Sequence, residues 1–320
     1  MKQIGIIVET EDHQVKPANL GVITLACQGD GNVFALVLEA LDKKNQTLLA
    51  DWGVDQVMEL SFPDDPRVVE NPVVVSQNLA CAVKALSLDV VMGLSSGWGK
   101  QILPRVAALM DGPLVMDCMG VNLEKNQAIA PHYSGKTLAT VEMTGARIFF
   151  GIRPNAVEPV PAERPLAYTR QDVDPTVPEN FDVIIQQARG KRGSQKVNLA
   201  EAAVIVSGGR GMKSEENFSI LFDCAGKLNA AVGASRVAVD SGWIPYAHQV
   251  GQTGEKVSPQ VYIACGISGS IQHFAGMKTA KMIIAINSDE NAAIVSNCDY
   301  YVIGDVMEIV PELTRQLNGE

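Results

Sequence analysis

The chain has 320 residues, enough for two domains of ordinary size, each able to bury its own core. Hydrophobic residues at 47% and charged residues at 19% exclude extensive disorder. A formal net charge of -10 excludes nucleic-acid backbone binding as the main role, because that needs a basic face.

Met1 leads almost at once into an apolar strand predicted at residues 4–8, so no targeting leader is expected. No apolar stretch is long enough to span a bilayer, so a cytoplasmic protein with no direct membrane insertion is expected. Further strands are predicted at 33–38, 57–60, 90–94 and 114–116, with helices between them at 20–28, 43–52, 73–86 and 100–110. That alternation implies a largely parallel sheet with crossover helices. Residues 128–150 are rich in Thr, Val and Phe and punctuated by Gly, which suits an antiparallel addition at the edge of the sheet.

Pro154, Pro159, Pro161, Pro165, Pro175 and Pro178 then mark an extended connection, since proline disfavours helix at the residue before it. The domain boundary is expected at its far end, giving domains 1–190 and 191–320. The basic cluster Arg189, Lys191, Arg192 and Lys196 at this junction reads as a solvated linker. A second series begins beyond it, with strands at 202–206, 237–239, 261–265, 282–286 and 300–303, and helices at 216–230, 271–280 and up to Leu317. The fold class is therefore α/β, two doubly wound domains with mainly parallel sheets.

Cys27, Cys81, Cys118, Cys224, Cys265 and Cys298 form no CxxC pair, and several sit in apolar runs, so free thiols in a reducing compartment are expected. His13, His132, His248 and His273 are dispersed and suggest no metal cluster. Gly97-Trp98-Gly99-Lys100 and Ser134-Gly135-Lys136-Thr137 both lack the leading glycine of a P-loop.

The unusual loops fall after the second-half strands. Ser207-Gly208-Gly209-Arg210-Gly211 lets the backbone turn sharply near a helix start and offers an arginine to a pyrophosphate. It has Ser214 where a dinucleotide fingerprint needs its third glycine, so alone it could equally be a tight turn. Gly266-Ile267-Ser268-Gly269-Ser270-Ile271-Gln272-His273 gathers backbone donors, hydroxyls, an amide and an imidazole at a helix start. A solitary histidine there would more often serve its own helix; in this company a ligand role is favoured. Ser235-Arg236, Gln249-Val250-Gly251-Gln252-Thr253-Gly254, Asn287 and Asp305 are individually bland, and their recurrence beside successive strands is the informative part. One reading open from these loops is an NAD-dependent oxidoreductase acting on a small molecule, although a ribose-binding acid and an acid–base pair are missing.

Taken in order, Ser207–Gly211, Gly233–Arg236, Gln249–Gly254, and Val261–Met277 with Ile284–Asn287 together resemble the signature of electron-transfer flavoprotein alpha subunits. The resemblance is dense from about Val204 to Leu317. It implies an FAD held by the C-terminal domain, a beta subunit as heterodimer partner contacted mainly by the N-terminal domain, flavin dehydrogenases as electron donors, and a quinone reductase or other redox acceptor. It implies an electron carrier with no substrate turnover of its own. By position, Arg210, Ser235, Arg236, Val250, Gly251, Gln252, Thr253, Ser268, Gly269, Ser270, Ile271, Gln272, His273, Asn287, Asp305 and Val306 would contact FAD. Arg236, Thr253 and His273 would tune the flavin, Arg236 over the ring, Thr253 near N5 and His273 at the C2 carbonyl. A permanent cation beside a reduced flavin offsets the negative charge gathered over N1 and the C2 oxygen.

Overall fold

The computed structural model describes residues 1–62, 66–133, 135, 137–162, 167–172 and 198–317. The chain divides into two units, one of Met1–His132 with Thr137–Arg189 and the other of Tyr133–Lys136 with Gly190–Glu320. The expected boundary, and the basic cluster beside it, lie outside the described residues.

In the first unit the predicted alternation holds. β1 (Lys2–Ile7), α1 (Asn19–Cys27), β2 (Gly31–Val37), α2 (Lys43–Asp51), β3 (Gln56–Ser61), α3 (Pro72–Ala85), β4 (Val90–Leu94), α4 (Gly99–Leu109) and β5 (Leu114–Cys118) follow one another. Helix starts are written in local chemistry. Asp42 accepts a hydrogen bond from the Asn45 N–H ahead of α2, and Asn71 accepts from the Val73 N–H ahead of α3. Pro72 occupies the first helical position, where a missing N–H costs nothing.

The chain then makes β6 (Gly120–Asn122), β7 (Gln127–His132) and β8 (Thr137–Glu142), an antiparallel three-stranded sheet of its own. β9 (Ile148–Ile152) and β10 (Ala167–Asp172) return to the main sheet, whose order is β10-β3-β2-β1-β4-β9-β5 with all neighbours parallel. The antiparallel addition expected over 128–150 is thus corrected in two respects. β7 pairs with β8 on one side and β6 on the other, apart from the main sheet. β9 is parallel and lies between β4 and β5, because its five residues are all buried and need cover on both faces. The core follows the sheet: Val22, Ile23 and Leu49 fill one face, and Leu79, Ile102 and Val106 the other.

The second unit runs β11 (Val204–Gly208), α5 (Ser219–Leu228), β12 (Ala231–Ala234), α6 (Arg236–Asp240), β13 (Val261–Cys265), α7 (Ile271–Met277), β14 (Met282–Asn287), β15 (Tyr300–Ile303) and α8 (Val306–Leu317). Its sheet has the order β12-β11-β13-β14-β15, again wholly parallel. The strand expected at 237–239 is corrected: those residues are helical, and the strand lies earlier, at β12. Asn229, in the left-handed conformation at φ 49° and ψ 42°, ends α5 and turns the chain straight into β12. Ser235 then accepts from the Ala238 N–H at 3.4 Å and starts α6. Among the described residues no helix is long and apolar enough to cross a membrane.

Candidate cofactor site

In the second sheet the chain runs from β11 to one side and then crosses to the other at β13, so the connections leaving these strands part company and open a crevice at their carboxyl ends. Two glycine turns touch there. The Gly209 N–H donates to the Cys265 carbonyl and the Gly211 N–H to the Gly266 carbonyl, each at 2.9 Å. A Cβ on Gly209 would fall 2.7 Å from the Ile267 Cα and nearer still to the Gly266 carbonyl oxygen. Backbone meets backbone with no room for a side chain.

A cavity of about 560 Å³ borders this contact, within the range of small-molecule and cofactor sites. Arg210, Ser235, Arg236, Val250, Gly251, Gln252, Thr253, Ser268, Ser270, Gln272 and His273 line it, so four separate sequence segments converge on one wall. The 249–254 loop is pinned on two sides: Val250 N–H donates to the Ala234 carbonyl at 2.9 Å, and Gln252 N–H to the Gln272 carbonyl at 2.8 Å.

The remaining expected residues stand outside that wall. Gly269, at φ +79°, packs on the Ile294 backbone, and Ile271 is largely exposed at the start of α7. Asn287 donates from Nδ2 to the Ile267 carbonyl at 2.9 Å and so braces the loop from β14. Asp305 accepts from the Met307 N–H at 2.9 Å at the start of α8 and lies 3.7 Å from the Lys213 ammonium. Val306 is buried in the core. Val237 and Asp240, which the sequence did not single out, also line the cavity, as do Gln249 and Ile267 from the loops already named. Taking 237–239 as strand hid Asp240, which sits four residues past Arg236 and is therefore its neighbour on a helix.

The electrostatics differ among the three residues expected to tune a flavin. Arg236 donates from Nε to Asp240 at 3.1 Å, and both side chains are more than half exposed, so the pair is screened by solvent. Thr253 accepts at its hydroxyl oxygen from the Gln249 amide at 3.0 Å, and Gln249 is buried. That bond uses a lone pair and leaves the Thr253 proton free to be donated. His273 is only 5% exposed, and burial pushes its imidazole down to about 4, so it is neutral at pH 7. Its Nε2 is 3.0 Å from the Tyr262 hydroxyl. Its Nδ1 is buried without a hydrogen bond; the Val250 backbone raises its basicity slightly but does not meet hydrogen-bond geometry. Arg236 brings a guanidinium to the cavity wall, and His273 a neutral ring.

Parallel five-stranded sheet, switch-point crevice and converging polar loops define a cofactor-binding α/β protein. Residues 198–278 match the electron transfer flavoprotein FAD-binding domain, and residues 4–178 match the electron transfer flavoprotein domain. The electron transfer flavoprotein subunit alpha of Pseudomonas aeruginosa is 43% identical over 316 residues, covering 98% of this chain and 99% of that protein. Its Bacillus subtilis counterpart is 35% identical, with 99% and 98% covered, and a probable mitochondrial alpha subunit of Caenorhabditis elegans is 35% identical, with 98% and 92% covered. The chain belongs to the electron transfer flavoprotein alpha-subunit family. Its C-terminal half carries the family's FAD-binding domain, and FAD rather than NAD is the cofactor. The residues present fit that group: cationic and hydroxyl side chains share one wall with a buried imidazole nitrogen whose hydrogen-bonding capacity is unused.

Proposed function

We propose that FAD occupies the crevice of the 191–320 domain, and that the chain carries electrons in a heterodimer with a beta subunit contacted mainly by the 1–190 domain. Electrons would enter from flavin dehydrogenases and leave to a quinone reductase or other acceptor, with no substrate converted on this chain. The observation that carries this reading is the cavity wall itself. Among the described residues its one carboxylate, Asp240, is engaged with Arg236, so the wall offers donors and a cation and no free acid–base pair. A cytoplasmic location is supported by six cysteines that form no disulfide, three of them buried.

FAD, when bound, supplies one- and two-electron acceptance and release. The chain's residues bind and tune. Arg210, beside the Gly209–Gly266 contact, and the hydroxyls of Ser235, Ser268 and Ser270 suit phosphate oxygens. Asn287 supports this wall through the Ile267 carbonyl, and Asp305 with Val306 fixes the start of α8. The Arg236 guanidinium favours negative charge in the cavity. Thr253 keeps a proton to donate, and His273 faces the cavity uncharged. Co-purification with the partner chain tests the reading. A yellow heterodimer with one FAD per complex is expected; a colourless complex that refuses added FAD overturns it.

A further inference from the structure

Tyr262 is the second residue of β13 and is fully buried, with its ring edge-on to His273 at a centroid distance of 6.1 Å. A phenol proton sealed from water needs an acceptor, because leaving it unsatisfied costs about 1–3 kcal/mol. The acceptor in reach is His273 Nε2, at 3.0 Å. On the neighbouring strand the buried Ser207 hydroxyl, itself without a hydrogen bond of normal geometry, is close enough to favour negative charge on the phenol oxygen. It is therefore placed as a donor toward Tyr262, which leaves the phenol proton directed at the imidazole. A neutral imidazole that accepts at one nitrogen carries its proton on the other.

We propose that Tyr262 is a positioning residue for the cofactor site: by donating to Nε2 it fixes His273, whose ring lines the cavity, as the neutral Nδ1–H tautomer. This rests on the reading of that cavity as the seat of the flavin. Three features of the structure agree. Nδ1 is the buried imidazole atom without a partner, His273 lines the cavity, and its backbone N–H is already taken up by Ser270, at 3.4 Å, at the start of α7. The ring is thus held at its backbone by Ser270 and at its far nitrogen by Tyr262. The remaining nitrogen is buried beside the Val250 backbone, which favours a proton there.

The test is nitrogen-15 NMR of the histidine-labelled holoprotein in complex with its partner, and of the same complex stripped of FAD. The proposal expects His273 to carry its proton on Nδ1 in both, with the Nδ1 resonance moving when FAD is added back. A proton on Nε2 in either form overturns it. In Tyr262→Phe the shape is kept and the donor lost; the two nitrogen signals should move toward an average of both tautomers. FAD affinity should fall by about two- to tenfold, the weight of one hydrogen bond. Unchanged histidine signals in Tyr262→Phe refute the positioning role. Should that variant fail to assemble, the wild-type tautomer alone decides. Wild-type Nδ1–H with a resonance indifferent to added FAD would instead refute the flavin seat, which separates the two failures.

Discussion

Gly209→Ala is the substitution whose effect the structure defines most sharply. The added methyl would meet the Gly266 carbonyl oxygen and, at 2.7 Å, the Ile267 Cα. Both are backbone atoms, unable to swing aside as a side-chain terminus can. Overpacking of this kind costs about 1–3 kcal/mol. Parting the loops also strains the hydrogen bonds from the Gly209 and Gly211 N–H groups, each worth about 0.5–1.5 kcal/mol. A total of about 2–4 kcal/mol follows, since such terms do not simply add. Gly226→Ala is the matched control. It lies within α5, exposed, with nothing within 4 Å of its added carbon, so it should stabilise by about 0.5–1 kcal/mol through helix propensity. Urea unfolding of the FAD-free complex, followed by circular dichroism, should move the midpoint down for Gly209→Ala and up for Gly226→Ala. Gly209→Ala should also release FAD faster. A wild-type midpoint together with normal FAD retention in Gly209→Ala would falsify the close-approach argument.

Other outcomes follow from the site. Arg236→Ala should lower the flavin's first reduction potential by tens of millivolts, where about 59 mV is tenfold for one electron, while Asp240→Asn should raise it; stepwise reduction with a reference dye reads both, and movement of the pair in the same direction contradicts the electrostatic role. Asp305→Ala removes the acceptor for the Met307 N–H and should cost about 0.5–2 kcal/mol, visible as a lower unfolding midpoint even without FAD. His273 has an ordinary value of 6.5 and sits at about 4 when folded, so the unfolded chain binds the proton more readily and stability rises with pH through that window. Roughly 2 kcal/mol should be lost between pH 7 and pH 5, and His273→Gln should flatten that slope in urea midpoints taken across the range. Cross-links between the two chains of the heterodimer should fall mainly on residues 1–190; a majority on the C-terminal domain would overturn the proposed division of labour.

Much of this architecture is legible in hydrophobic runs. Residues 90–94 and 261–265 are unbroken apolar segments of strand length, and they form β4 and β13 with the predicted bounds. The two failures have physical causes. Val237-Ala238-Val239 carries β-branched residues in alternation, the pattern of a strand, yet Ser235 caps a helix there and the sheet position is filled by Ala231-Val232-Gly233-Ala234. Those four are small because β12 runs beside Ser207 and Val250, with a Gly233 Cβ falling only 3.0 Å from the Ser207 oxygen. Residues 148–152 look like the end of an antiparallel run, and only their complete burial reveals a central parallel strand. In the site, the glycine turns and hydroxyl loops are readable from spacing. The Gln249–Thr253 and Tyr262–His273 hydrogen bonds are not, because they join side chains whose proximity is set by strand register and loop packing.

The correction at 236–240 has a dynamic consequence. α6 is five residues long, less than two turns, and only Ala238 is buried. A helix that short gains little from its own hydrogen bonds and depends on its neighbours to persist. The charge at Arg236 therefore rides on one of the least anchored pieces of the second sheet's rim, and its amides should exchange with solvent well before those of β13. In the tuning role proposed for Arg236, electron affinity would be tied to a local opening equilibrium, and temperature would reach the flavin through five residues.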